Sequence, residues 1–294
     1  MDLLCQRLPR IVWIILAALV VLGAAACKKK PKSPLESEDG WRVFAIDYGR
    51  SQRFRHSTMV ADAPDGERVP AAWSAWLISG PECTVLVDTG FASEKVAERW
   101  KVDDFEPVPR ILARAGVSPA EITDVILTHL HWDHSGNVAP YERARVWVQR
   151  AEREWARGLV DEQHPDKAGV RLVDLEALDA VQKQGRLAAI EGDREIHPGL
   201  LVHVGGRHTA AIQWVEVRTG REAGTVVLTS DNAYLYENLE RNVPIGSCYD
   251  RGANLRELSR MRSVVSHQRL LVPGHEPRVF DRFPRVADRI VEIR

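Results

Sequence analysis

Cysteine is scarce in this chain of 294 residues, and the four present cannot form a disulfide framework. Cys5 lies inside an N-terminal apolar region and Cys27 closes that region. Cys83 and Cys248 are then left far apart and in no metal-binding spacing. Cys83 opens an apolar run and reads as core; Cys248 sits in a Gly-Ser-Cys-Tyr turn, and no thiol nucleophile is expected there. A surplus of one charge is also missing, since 40 Lys and Arg face 41 Asp and Glu. No basic block stands in the body of the chain, so nucleic acid is not an expected partner. There is no internal repeat and no low-complexity tract. The apolar run from Ile11 to Ala26 is shorter than the roughly 20 residues that cross a bilayer as a helix.

That run has a different reading. Arg7 and Arg10 precede it, and Leu22-Gly23-Ala24-Ala25-Ala26 brings it to Cys27. Basic residues, an apolar stretch and small residues before one cysteine mark a secretion signal with a lipobox-like end. Residues 1–26 are therefore expected to be a lipoprotein signal peptide and Cys27 the lipidated residue. Residues 27–40, basic and proline-punctuated before turning acidic, read as a flexible tether. The expected location is the cell envelope, anchored to the membrane on its extracytoplasmic side; an uncleaved anchor and a soluble secreted form are the alternatives. Residues 41–294 suffice for one large α/β domain.

The densest chemical signal is Thr128-His129-Leu130-His131-Trp132-Asp133-His134, directly after Val125-Ile126-Leu127. Imidazoles and a carboxylate are ligands for zinc and similar divalent ions, and a buried strand holds such a cluster rigid. Further candidates end apolar runs downstream: His208 in Gly205-Gly206-Arg207-His208-Thr209, Asp231 in Leu228-Thr229-Ser230-Asp231, and His275 in Val272-Pro273-Gly274-His275. His56, His164, His197, His203 and His267 have no motif partner and read as surface or structural residues.

The set His129, His131, Asp133, His134 completes the His-x-His-x-Asp-His pattern and resembles the metallo-β-lactamase superfamily. Val85-Leu86-Val87-Asp88-Thr89-Gly90 matches a second signature, whose aspartate supports the ligands from behind. The resemblance implies an αββα sandwich: two mixed β-sheets packed face to face with helices outside. It also implies two divalent ions, zinc foremost. His129, His131 and His208 would hold the first and Asp133, His134 and His275 the second, with Asp231 bridging. Two such cations hold a hydroxide at neutral pH, which would supply the nucleophile.

Asp231 distinguishes the chain from the β-lactamases proper, and His131 stands where the di-iron relatives carry Glu. The segment Ser230-Asp231-Asn232-Ala233-Tyr234-Leu235-Tyr236-Glu237-Asn238, followed by Val243-Pro244, looks like the N-acyl homoserine lactonase branch. That likeness implies a lactone substrate, with Tyr234 donating a hydrogen bond to the carbonyl and Asp133 relaying a proton to the leaving alkoxide. Tyr236 is assigned to core packing, and Trp132 to the core or to a wall for an acyl chain. The chain departs from its relatives around His208, where Arg207 replaces a common glycine and Ala210-Ala211 a Pro-Gly. Thioesters, aryl esters and phosphotriesters are the alternative substrates. A non-catalytic metal-binding envelope lipoprotein is the alternative of another class.

Strands are expected at residues 41–48, 75–79, 83–87, 125–127, 144–148, 200–204, 212–217, 225–229 and 270–272. Helices are expected at 93–100, 108–115, 151–157 and 254–265, from His134 onward, and at the C-terminal end.

Overall fold

The computed structural model describes residues 33–164 and 169–294. The expected signal peptide and Cys27 lie outside the described residues. Among the described residues, no helix is long and apolar enough to cross a membrane.

An eight-stranded sheet contains β1 (Arg42–Arg55), β2 (Arg68–Ser79), β3 (Thr84–Val87), β4 (Asp124–Ile126), β5 (Arg145–Gln149), β6 (Leu187–Ile190), β12 (Arg285–Ala287) and β13 (Ile290–Ile293). Its order is β12-β13-β1-β2-β3-β4-β5-β6, with β3 to β6 parallel and the remaining pairs antiparallel. The second sheet runs β11-β10-β9-β8-β7 and is built from β7 (Arg194–His197), β8 (Leu200–Val204), β9 (Gln213–Arg218), β10 (Thr225–Ser230) and β11 (Leu271–Pro273). The helices are α1 (His56–Met59), α2 (Glu94–Trp100), α3 (Val108–Arg114), α4 (Trp132–Ser135), α5 (Arg150–Asp161), α6 (Leu172–Lys183), α7 (Tyr236–Arg241), α8 (Arg251–Val264) and α9 (Val279–Arg282).

Successive side chains of a strand point to opposite faces, and β1 shows where each face goes. Val43 and Ala45 join a core that contains Trp76, Val87, Trp214 and Val226, between the sheets; Leu258 and Met261 of α8 extend it. Phe44 and Ile46 join a second core with Leu112, Ala156 and Leu178 from α3, α5 and α6. Both faces of the large sheet are thus covered, which is why its strands read as near-continuous apolar runs. The layers are helix, sheet, sheet, helix, as the resemblance implied. Trp76 and Trp214 are fully buried between the sheets, where truncation of either to alanine costs about 3–5 kcal/mol.

Two expectations are corrected. The C-terminal end is not a helix: after the single turn α9, Pro284 precedes β12 and β13, and β13 pairs with β1. β-branched Ile290, Val291 and Ile293 favour that outcome, and a left-handed Arg289 makes the turn. The first two strands are also much longer than expected, because the polar stretch Gly49–Arg55 continues β1 along the start of β2. Pairing with β2 overrides the weak pattern there.

Candidate metal centre

All seven proposed ligands follow the carboxyl ends of strands at one end of the sandwich. The turn after β4 carries His129 and His131, and α4 carries Asp133 and His134. The loops after β8, β10 and β11 bring His208, Asp231 and His275. Non-glycine residues in the left-handed region cluster here, with Asp88 at φ 59°, Arg207 at 65° and Ser230 at 47°. Such backbone costs about 1–2 kcal/mol per residue, and packing must enforce it. Arg207 thus holds, with a side chain present, a backbone conformation that glycine adopts without strain. Gly274 is needed for a different reason, since a Cβ there would lie 2.8 Å from the Ser230 carbonyl oxygen and 3.0 Å from Asp231 Oδ1.

The side chains form two donor groups, His129, His131, His208 and Asp231 in one, and Asp133, His134 and His275 in the other. In the first, His131 Nδ1 is 3.1 Å from His129 Nε2 and 3.1 Å from His208 Nε2. Asp231 Oδ2 lies 3.6 Å from His129 Nε2 and 3.4 Å from His208 Nε2. The other oxygen of the same carboxylate, Oδ1, lies 3.3 Å from His134 Nε2 and 3.1 Å from His275 Nε2. Asp133 Oδ2 closes that second group at 3.2 and 3.8 Å from the same two nitrogens. Ligands about 2.0–2.1 Å from a tetrahedral zinc stand about 3.3 Å apart, so both groups have the dimensions of a coordination shell. Among the described residues, buried His134 Nε2 and Asp231 Oδ1 have no hydrogen-bond partner. The donor set therefore fits a cation in each group, with Asp231 facing both.

In three of these histidines the ring nitrogen pointing away from the donor group is fixed by a hydrogen bond. His134 Nδ1 donates to Asp88 at 2.7 Å, His208 Nδ1 to the Ser247 carbonyl at 2.9 Å, and His275 Nδ1 to the Ala72 carbonyl at 2.9 Å. Each bond sets the tautomer that leaves Nε2 free as a ligand. Asp88 also accepts from the Thr128 N–H and hydroxyl, both at 2.8 Å, in the supporting role expected of it.

Charge separates the two groups. Burial, with His208 next, pushes His131 down to about 3, and burial also lowers His129 and His208. These imidazoles are neutral, the form that binds a cation. For His134, burial opposes charge, yet Asp231, Asp133 and Asp88 together raise it well above its usual range; Asp231 likewise raises His275 against burial. The second group thus demands positive charge, which either protons or a metal ion can supply.

Two contributors were not legible in the sequence. Glu152 of α5 is fully buried and accepts from Leu130 N–H at 3.1 Å, Thr209 Oγ1 at 2.8 Å and Ala211 N–H at 2.9 Å. It ties the loop of His129 and His131 to that of His208, and burial pushes its carboxyl up to about 7. Ser247 is the other, holding His208 through its carbonyl and standing 2.8 Å from the Tyr234 hydroxyl through its own. The Tyr234 hydroxyl is also 3.5 Å from His208 Nδ1, which places it beside the first group. Trp132 is buried beneath the half-exposed Trp100, whose ring stacks on it at 5.0 Å, so the aromatic surface offered to solvent is Trp100. Tyr236 is buried in the core with Arg278 and Arg282 over its ring.

The other histidines stand apart from the cluster. His56 bridges Glu67 and Glu237, His197 meets Asp124, and His203 sits between Asp193 and Glu216.

The family model described as the Metallo-beta-lactamase superfamily matches residues 71–275, a span that holds every donor above. The chain belongs to this superfamily. It is a metal-dependent hydrolase. An N-acyl homoserine lactonase of Bacillus sp is 28% identical over 250 residues, covering 80% of this chain and 93% of that protein. The N-acyl homoserine lactonase AiiB of Agrobacterium fabrum is 29% identical over 236 residues, covering 74% and 84%. Among solved structures, a quorum-quenching N-acyl homoserine lactone lactonase superposes with TM-score 0.67 at 26% identity, over 81% of this chain and 93% of that one. An N-acyl homoserine lactone hydrolase with N-hexanoyl-L-homoserine bound at its catalytic metal centre gives TM-score 0.69 at 24% identity, over 84% and 97%.

Proposed function

We propose that this superfamily member opens lactone rings, those of N-acyl homoserine lactones first, with two divalent ions, zinc foremost, held by the seven ligands. The observation that carries the reading is Asp231, whose two oxygens face separate donor groups, with the Tyr234 hydroxyl beside one of them. Cations held by these residues would supply an activated water at neutral pH and polarise a carbonyl oxygen. The protein's own groups then orient and stabilise. Tyr234 donates toward the carbonyl oxygen as charge grows on it. Asp133, less buried than Asp231, would pass a proton to the leaving alkoxide. The lactonase relatives favour a lactone over the other esters.

The deciding experiment combines elemental analysis with a substrate panel on purified protein. Close to two ions per chain and turnover of a homoserine lactone are expected. His208→Ala and His275→Ala should each remove mainly one ion. A single ion in the intact protein would rule out the paired centre. Turnover of a thioester, aryl ester or phosphotriester without any lactone would move the substrate assignment while leaving the hydrolase in place.

The N-terminal segment makes a separate proposal, that of a lipoprotein held in the envelope through Cys27. Its basis is the apolar run that ends in small residues before that cysteine. Cys27→Ser should release the protein from the membrane fraction or leave an uncleaved precursor. Unchanged size together with unchanged membrane association would assign the segment to an uncleaved anchor instead.

A further inference from the structure

Beside the metal centre, at the extended end of the β1–β2 hairpin, lies a groove of about 550 Å³. Five cations line it, Arg53, Arg55, Arg68, Arg99 and Lys101, and no acidic residue does. None of the five forms an ion pair among the described residues, whereas most other arginines of the domain are paired. Arg53 and Lys101 also border a neighbouring groove containing Glu94, Glu98 and Asp103, so the unbalanced charge is concentrated on Arg55, Arg68 and Arg99. Arg55 and Arg68 stand directly opposite each other in the β1–β2 register. Like charges in that relation destabilise a sheet, and no acidic side chain pairs with either arginine among the described residues.

Besides the cations, the groove is lined by Ser51, Thr58 and two aromatic residues that lead toward the metal centre. Those aromatics are Phe54 and Trp100. The Phe54 ring is 6.2 Å from His275 and 5.3 Å from Trp73, and Trp100 stacks on Trp132, the residue between ligands His131 and Asp133. A molecule reacting at the metal centre can therefore lay an apolar stem along these aromatics and carry its far end among the arginines.

We propose that this groove binds an anionic group, a carboxylate above all, at the far end of the substrate's acyl stem. The inference rests on the lactone reading and narrows it to lactones with an anionic tail. Guanidinium groups suit such a terminus, being always charged and able to grip a carboxylate with two parallel hydrogen bonds. A plain alkyl tail would leave the repulsion between Arg55 and Arg68 in place. An anionic one removes it.

The test uses the full metal-loaded protein and lactones with matched acyl chains ending in methyl or in carboxylate. The carboxylate-ended lactone should show a KM lower by about 10-fold or more, the scale of one or two charge-assisted hydrogen bonds. Added NaCl should erode this preference, because exposed charges are screened over about 10 Å at 0.1 M. In Arg55→Gln and Arg68→Gln the ratio of the two KM values should fall toward one. Their melting temperatures should not drop, since each substitution relieves the like-charge pair. Equal KM values in the wild-type protein would overturn the proposal and leave the lactonase reading intact.

Thermal melts with decanedioate and decanoate give a readout independent of turnover. Both compounds offer one carboxylate to the metal centre, and only decanedioate offers a second to the groove. A larger rise in melting temperature with decanedioate, abolished in Arg68→Gln, supports the groove even if neither lactone is opened, in which case only the lactone reading fails. Equal rises overturn the anion site itself. Binding to phosphatidylglycerol vesicles that depends on Arg55 and Arg68, with equal KM values for the two lactones, would also overturn it and assign the cations to a membrane surface.

Discussion

Asp231→Ala is expected to empty both halves of the metal centre and to lower turnover by about 1000-fold or more, equivalent to about 4 kcal/mol of transition-state stabilisation. The reason is geometric. One oxygen of this carboxylate faces His129 and His208, the other His134 and His275, and both distances in each pair fit a coordination edge. Losing any histidine removes a donor from one group; losing Asp231 removes a donor from both. Asp231→Asn keeps the shape but replaces one oxygen with an amide nitrogen, so it should hold at most one ion per chain. Elemental analysis beside a rate measurement checks both variants. Two retained ions with a near-normal rate in the alanine variant would mean that the bridge lies elsewhere.

Tyr234→Phe should slow lactone opening by roughly 10- to 1000-fold, the upper end being the effect of losing a whole oxyanion donor, without changing metal content. Burial, with the Asp231 carboxylate next, raises the hydroxyl well above its usual range, so it remains a donor at neutral pH. Its partner in the structure is the Ser247 hydroxyl at 2.8 Å. Ser247→Ala should therefore produce a smaller loss in kcat, because the tyrosine keeps its donor but loses the group that aims it. Equal rates for Tyr and Phe at position 234 would remove the oxyanion role. Loss of metal from the Phe variant would make Tyr234 a support of the His208 ligand instead.

The residues of the two donor groups were readable because their signal is local. Four of them fall within Thr128–His134, and the other three each close an apolar run, so strand and ligand announce each other. The layers were readable for a related reason, since strands buried on both faces leave continuous apolar runs. Glu152 escaped notice because its meaning is tertiary. It occupies the stripe of α5 shared with buried Ala156 and Leu159, and an acid on that stripe was the one available clue. Ser247 and the Ala72 carbonyl gave no clue, since their roles depend on where two distant loops come together. The C-terminal hairpin was missed because alternating charged and apolar residues around Pro284 resemble a frayed helix until β1 offers an edge to pair with. Gly49–Arg55, too polar to read as a strand alone, is held instead by pairing with the start of β2.

The placement of the donors across the layers has a consequence for folding. His129, His131, Asp133 and His134 follow a strand of the eight-stranded sheet, while His208, Asp231 and His275 follow strands of the five-stranded one. Each donor group draws on both sheets, so a cation held there acts as a rivet between them and binds only the assembled sandwich. Metal affinity and folding free energy are then one linked quantity: free metal at 100 times its dissociation constant adds about 2.7 kcal/mol to stability. Where metal is scarce, the second group is left to protons on His134 and His275 to balance its carboxylates. The supply of metal in the surroundings would thus govern how long the folded protein lasts as well as how fast it works.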